Sequence, residues 1–273
     1  MRRICEELEH LGEKYRIVKW DELTVPLESY PTYVLILYLD IMRYRDDLIY
    51  GLCILEELTR AGVKILPPLK GFYNSDKFAN YLLWHRYLRS AIRMPDTLCS
   101  INLEISKNFM KKHQKIIFKP ISGSQGIGIE IVQTETRLKE LLEHHHTLFL
   151  QELIPDRGYD LRTLLVGDQF IIQYARYNPQ KFLKNIHLGA IPKSIQDMEK
   201  IDPEIQQFAE VSRKIAREVQ KIAEIDIVGV DTLPSKDGEL YLLEWNSVPG
   251  FKGAEEATHI NIAKEIVKFI FSA

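Results

Sequence analysis

The chain has 273 residues, 45% hydrophobic and 27% charged, a balance that supports a buried core and excludes a disordered chain. Its 36 basic and 38 acidic residues leave a formal charge of -2 with no long run of one sign, which argues against nucleic acid as a partner. No apolar stretch could span a bilayer, no signal-peptide core opens the chain, and Cys5, Cys53 and Cys99 lack disulfide or metal-ligand spacing; they read as buried apolar residues of a cytoplasmic protein without a membrane partner.

Ile4, Cys5, Leu8 and Leu11 recur at helical spacing and predict a helix over 2–12, followed by a short strand over Tyr15 to Trp20. The apolar run Tyr33 to Leu39 is that of a strand buried on both faces of a parallel sheet. A helix from about Tyr44 to Arg60, stopped by Ala61-Gly62, and a return strand Val63 to Leu66 complete a βαβ unit. Asn74-Ser75-Asp76 caps a helix expected to reach about Ile92, and Met94 to Thr97 close it. A helix over Leu103 to Lys112, strands over Lys115 to Lys119 and Ile127 to Val132, and a helix over Thr134 to His144 suggest a small α+β lobe. Strands follow over Leu148 to Gln151, Tyr159 to Val166 and Gln169 to Arg176, then a long helix over Pro203 to Ala223. Strands Ile227 to Leu233 and Leu240 to Trp245 and a last helix to Phe271 finish the chain.

Four segments carry chemistry. In the hairpin around the Asp237-Gly238 turn, a loop over Ser235 to Gly238 sets Asp231 opposite Leu242 and diagonal to Glu244, and strand alternation puts Glu244 and Asn246 on that same face. Three oxygen-bearing groups on one surface suit hard Mg2+, although solvent-facing residues of an amphipathic hairpin would look the same. The loop after Lys119, with Ser122, Gly123, Ser124, Gln125 and Gly126, lets backbone N–H groups approach phosphate; it lacks a P-loop ending, and a plain flexible hairpin is the alternative. Gln151, Glu152, Leu153 and Ile154 offer a hydrogen-bonding chain edge with apolar walls for an adenine, and equally read as a strand leaving the core. Asp160, Arg162 and Arg176, followed by Asn185, place cations where phosphoryl transfer spreads negative charge; ordinary surface arginines are the rival reading, and Lys181 and Lys184 read as solvated.

In order and spacing these segments resemble the ATP-grasp fold over about the last two hundred residues, and in particular the RimK-like glutamate ligases. Asp76-Lys77 looks like the family's Asp-Lys helix start, Lys119 with Ser122 to Gly128 like its nucleotide lysine and glycine lid, and Gln151 to Ile154 like its adenine hinge. Gly158 to Arg162, Arg176 and Asn185 to Gly189 resemble its phosphate side, and Gly229 to Asp231 with Glu244 to Gly250 its metal end. The resemblance implies an α/β fold of α+β lobes: a short N-terminal pre-ATP-grasp α/β domain over 1–72 that lacks the family's first strand, and an ATP-grasp domain over 73–273. Within the latter, a lid lobe spans about 98–150 and a C-terminal lobe about 151–273.

It further implies a carboxylate–amine ligase working through an acyl phosphate. ATP would be held by Lys77, Lys119, residues 122–126, Gln151 to Ile154, Asp160 and Asn185. Mg2+, with Mn2+ as an alternative, would be held by Asp231, Glu244 and Asn246, while Arg162 and Arg176 would act on the transferring phosphoryl group. Leu183 stands where RimK itself carries a basic residue, which loosens the link to RimK's own substrate. Pro249 to Gly253 looks closest to relatives in methanogens and methylotrophs that add L-glutamate to tetrahydromethanopterin or a deazaflavin coenzyme, so a small-molecule or coenzyme carboxylate is the expected acceptor. Ligases acting on a carrier protein or a protein tail are the next candidates, and a catalytically silent nucleotide-binding regulator is the rival from another class. Homo-oligomeric assembly fits any of them.

Overall fold

The computed structural model describes residues 2–36, 45–113, 115–121 and 126–272. The first helix, α1 (Arg2–His10), has its apolar face on the last helix of the chain, so that Ile4 is buried at the C-terminal end of the molecule. The strand expected over Tyr15 to Trp20 is not formed: Tyr15, Ile17 and Val18 are exposed with no strand paired to them among the described residues, and a 3-10 turn at Trp20–Glu22 takes the end of the segment. β1 (Tyr33–Leu35) and β2 (Lys64–Leu66) pair in parallel around α2 (Arg45–Arg60), as the βαβ reading requires; the expected continuation of β1 through Leu37 to Leu39 lies outside the described residues. Ile54, Leu55, Leu58, Val63 and Ile65 form this unit's core, with Phe72 closing it from α3 (Leu69–Tyr73). None of the three cysteines is fully buried, contrary to expectation: Cys53 sits on the solvent side of α2, and Cys5 and Cys99 are half-buried.

Asp76 caps α4 (Lys77–Leu83) by accepting the N–H of Phe78 at 2.8 Å. The helix expected to continue to Ile92 widens at Trp84–Leu88 into a π-type turn, where the Arg89 N–H reaches back five residues to Trp84. The Trp84 indole donates to the Ile92 carbonyl at 2.7 Å and folds the chain end back on that turn.

A four-stranded antiparallel sheet follows, in the order β3 (Thr97–Ser100), β6 (Leu148–Glu152), β4 (Ile116–Phe118), β5 (Glu130–Val132). α5 (Leu103–His113) and α6 (Glu135–His145) cover one face over Ile116, Phe118, Val132, Leu138, Leu148 and Leu150. β3 was not apparent in the sequence, where its residues merge with the preceding turn.

The larger sheet is antiparallel, in the order β11 (Leu240–Asn246), β10 (Ile227–Pro234), β7 (Tyr159–Val166), β8 (Gln169–Tyr177), β9 (Ile191–Ser194). Alternation along β7 divides its two faces. Tyr159, Leu161 and Leu165 pack under α7 (Ile195–Glu199) and α8 (Ile205–Ala223). On the other face Leu164 and Val166 lie under α1, α9 (Lys252–Thr258) and α10 (Ile262–Ser272), which leaves the ends bearing Asp160 and Arg162 for other use. The single last helix expected is thus two, divided at His259 in a left-handed conformation. No helix among the described residues is long and apolar enough to cross a membrane.

Candidate active site

Two arginines and two aspartates form one buried ring on the open end of the large sheet. Asp231 on β10 lies directly across from Arg162 on β7, and Asp160 across from Arg176 on β8. Arg162 grips Asp231 with Nε and Nη2 at 2.7 and 2.6 Å; Arg176 grips Asp160 in the same way, and its Nη2 also reaches Asp231 at 2.8 Å. Asp160, Arg176 and Asp231 are no more than 5% exposed, so the rival reading of surface arginines does not hold. Burial alone would raise the Asp231 carboxyl, but two guanidinium groups outweigh it and hold Asp231 below the usual carboxylate range. Asp160 has one guanidinium partner and the charge of Asp231 nearby; burial pushes its carboxyl up to about 6. Among the described residues, Nη1 of each arginine has no protein partner, so each guanidinium keeps N–H donors for a ligand.

The hairpin departs from the expected register. Asp231 pairs with Glu244 directly and Thr232 with Leu242, because a β-bulge at Leu243 puts two residues opposite one. The bulge turns Leu242 into the core beneath α8 with Val230 and Trp245, away from Asp231, where strict alternation would have exposed it on the charged face. Glu244 is thereby a direct neighbour of Asp231, and Asn246 pairs with Gly229 one step further along that face.

Across from this hairpin, a cleft between the two sheets is lined by Lys77, Asn80, Lys119, Phe149, Gln151 and Glu244. Lys119 is almost fully buried, yet its side chain makes no hydrogen bond or ion pair with any described residue. Burial lowers its pKa and the Glu244 carboxylate opposes that shift, while Lys77 adds to it. A buried cation in a cleft without a protein partner is a site prepared for an anion. Sequence reasoning missed Asn80, whose Oδ1 accepts the Trp245 N–H at 2.8 Å and ties α4 to β11 beside Glu244. Its place one turn after Lys77 was the available signal.

The hinge is partly committed. The Gln151 amide donates to Thr97, and Glu152 is fixed outward, its Oε1 accepting the Asp96 N–H and its Oε2 lying 3.1 Å from His113 Nδ1. The Glu152 N–H is also taken, by the Asp96 carbonyl, so that N–H is not open to a ligand. Leu153 donates to Lys115, and Ile154 is buried beside them.

Of the glycine-rich loop, Ser122, Gly123, Ser124 and Gln125 lie outside the described residues. Gly126, at φ 77, is close to Asn185: a Cβ there would come within 2.7 Å of Asn185 Oδ1. Lys181 is exposed as expected, whereas Lys184 is buried against Asp156, because its loop folds back onto the connector between β6 and β7.

Among the described residues no group of three His, Cys, Asp or Glu side chains could hold a metal. The candidate set is two carboxylates and an amide, and its chemistry suits Mg2+: Glu244 and Asn246 have no described hydrogen-bonding partner, and Asp231 keeps one acceptor position on Oδ1.

A model of the RimK-like ATP-grasp domain matches residues 75–270. Among curated proteins, a probable alpha-L-glutamate ligase 1 of Shewanella sp. (strain MR-4) is 33% identical over 161 residues, 57% of this chain and 50% of that protein. A probable alpha-L-glutamate ligase 2 of Shewanella baltica (strain OS185) is 32% identical over the same shares. The chain therefore spans about half the length of the curated relatives it matches. Among solved structures, the RimK domain ATP-grasp protein of Sphaerobacter thermophilus superposes with a TM-score of 0.70 at 14% identity, over 99% of this chain and 94% of that one. The ATP-grasp ligase PsnB, complexed with a minimal precursor, gives 0.69 at 16% identity, over 100% and 95%. At those identities the likeness is one of fold.

Proposed function

This chain belongs to the RimK-like ATP-grasp family, and from that premise we propose that it is an ATP- and Mg2+-dependent carboxylate–amine ligase. In this reading ATP lies in the cleft between the two sheets, with Lys77, Lys119, residues 122–126, Gln151 to Ile154, Asp160 and Asn185 around it. At the hinge, the chain edge past the Leu153 N–H and the apolar walls hold the base, since the N–H groups of Glu152 and Leu153 are engaged elsewhere. Mg2+ would be held by Asp231, Glu244 and Asn246, and when bound it neutralises phosphate charge.

The carboxylate of the acceptor takes the γ-phosphoryl group of ATP, releasing ADP. The amine then attacks the acyl phosphate and displaces phosphate, giving up a proton as the amide forms. Arg162 and Arg176 turn their uncommitted N–H groups toward the oxygens on which negative charge grows, held rigidly by Asp231 and Asp160 so that little reorganisation is needed. We place the domain division at 72/73, and the lid and C-terminal lobes at about 98–150 and 151–273.

The observation that carries this reading is a buried Lys119, without a hydrogen-bonding partner among the described residues, facing a carboxylate strand end across one cleft. The names of the relatives favour L-glutamate as the amine, and the run Pro249 to Gly253 favours a coenzyme or other small molecule as the acceptor.

The test is incubation of the protein with ATP, Mg2+, L-glutamate and a panel of acceptors: pterin and deazaflavin coenzymes, a small acidic carrier protein and a glutamate-ended peptide. ADP release together with a mass gain of one glutamyl unit on one acceptor is the expected result. Glu244→Gln should reduce turnover by about 100-fold or more at unchanged thermal stability, because an amide is a poorer Mg2+ ligand. Nucleotide binding without ADP release for any acceptor would favour a silent nucleotide-binding regulator.

A further inference from the structure

Three consecutive side chains, Lys184, Asn185 and Ile186, reach three different parts of the molecule. Lys184 is 4% exposed; its ammonium donates to the Asn178 carbonyl at 2.8 Å and to the Lys181 carbonyl, and forms an ion pair with Asp156 Oδ1 at 2.9 Å. Two of these three partners belong to its own loop. The third belongs to the connector that joins β6 to β7, where Asp156 also accepts the Gly158 N–H.

That connector does not float. The Lys236 N–H donates to the Pro155 carbonyl at 2.9 Å, and the Arg157 N–H to Pro234 at 3.2 Å, which fix it to the turn of the β10–β11 hairpin. Beside the anchor, Asn185 meets Gly126 closely: a Cβ at that glycine would lie 2.7 Å from Asn185 Oδ1. Ile186 packs as tightly on Gly253 of α9, where an added Cβ would be 2.4 Å from its Cδ1.

A buried ammonium is costly to desolvate, and an apolar side chain could fill the same space. What the charge adds is direction: two hydrogen bonds hold the loop backbone at Lys181 and Asn178 while the ion pair sets it against Asp156. The residue whose orientation follows most directly is the next one, Asn185.

We propose that Lys184 is a positioning residue of the nucleotide site, holding the loop over 178–190 in the arrangement that sets Asn185 against Gly126. The inference rests on the nucleotide-binding reading above and is independent of the acceptor. Loss of the ammonium frees the loop from the connector, and the contact of Asn185 with Gly126 is then no longer preformed.

The experiment uses the full chain and titrates the magnesium complex of AMP-PNP, a non-hydrolysable ATP analogue, by calorimetry against four proteins: unaltered, Lys184→Met, Asn185→Ala and the double variant. Lys184→Met is expected to bind about ten-fold more weakly, with the double variant no weaker than the worse single one, because one residue acts through the other. If Lys184→Met does not fold, Asp156→Asn, which retains an oxygen acceptor, takes its place with an expected loss of about three-fold that vanishes in the Asn185→Ala background. Binding by the Lys184→Met variant within about two-fold of the unaltered protein would overturn the proposal, as would losses that multiply in the double variant. Binding by the unaltered protein without ADP release would defeat the ligase reading alone, since the binding constants still decide the role of Lys184. No binding by the unaltered protein would defeat both.

Discussion

The same three strands bury polar groups on both of their faces, and the two faces do it differently. Toward α8, Thr163, Gln173 and Thr232 meet Ser212 in a neutral network: Ser212 Oγ lies 3.0 Å from Thr163 Oγ1 and accepts from Thr232 at 2.8 Å, while Gln173 Nε2 donates to Thr163 and to the Ala209 carbonyl. On the opposite face of the same strands, Arg162, Arg176, Asp160 and Asp231 bury four ionisable groups. Neutral hydrogen bonds of the first kind are each worth about 1 kcal/mol and orient a helix on a sheet. A buried ion pair scarcely repays its desolvation, and apolar residues of similar volume would often be as stable. The charged face therefore has its reason in what it presents to a ligand.

The comparison breaks most visibly at Arg176. Changing Arg176→Met strands Asp160 without a partner and strips one guanidinium from Asp231, so urea unfolding should show a loss of about 3–5 kcal/mol together with loss of ADP release. A loss no larger than a neutral hydrogen bond would mean that the ring is far better solvated than its burial indicates.

A smaller effect sharpens the difference within the ring itself. Asp160 ionises near 6 in the folded chain, against 3.8 for an ordinary aspartate, so between those values the folded chain keeps a proton that the unfolded chain has lost. Its contribution to stability is then fully present below about pH 4 and declines as pH rises through 6, by on the order of 2–3 kcal/mol. Asp160→Asn cannot titrate, so the stability of the unaltered protein minus that of the variant should fall over this range when both are unfolded in urea at pH 4, 5, 6 and 7. A constant difference would place the ionisation of Asp160 at its ordinary value.

Much of this arrangement was legible in the sequence because it follows from period and turn chemistry. Asp160, Arg162 and Arg176 sit on strands whose apolar alternation is plain, and Asp237-Gly238 announces its hairpin. The bulge at Leu243 was not legible, since an extra residue in a strand leaves no trace in a hydrophobic pattern that is already continuous from Leu240 to Leu243. Nor was the burial of Lys184, which depends on a loop folding back on Asp156 nearly thirty residues earlier. The short β9 and α7 escaped because the residues of β9 are half exposed and α7 is a five-residue helix with Met198 alone fully buried, too little for either period to show. Tyr15 to Trp20 erred the other way, with strand formers that find no partner strand.

The smallest expected effect tests the neutral face. Ser212→Ala removes the hydroxyl that Thr232 donates to and that pairs with Thr163, leaving two buried hydroxyl groups with fewer partners inside a closed layer. Thr163 still receives Gln173, whose own Oε1 already lacks a partner among the described residues, so the network loosens without collapsing. A loss of about 1–2 kcal/mol in urea unfolding is expected, with ADP release per folded molecule unchanged, because no atom of this network reaches the charged face. Were turnover to fall in step with stability, α8 would be setting the position of Arg162 and Asp231 through the strands between, and the two faces would be one device.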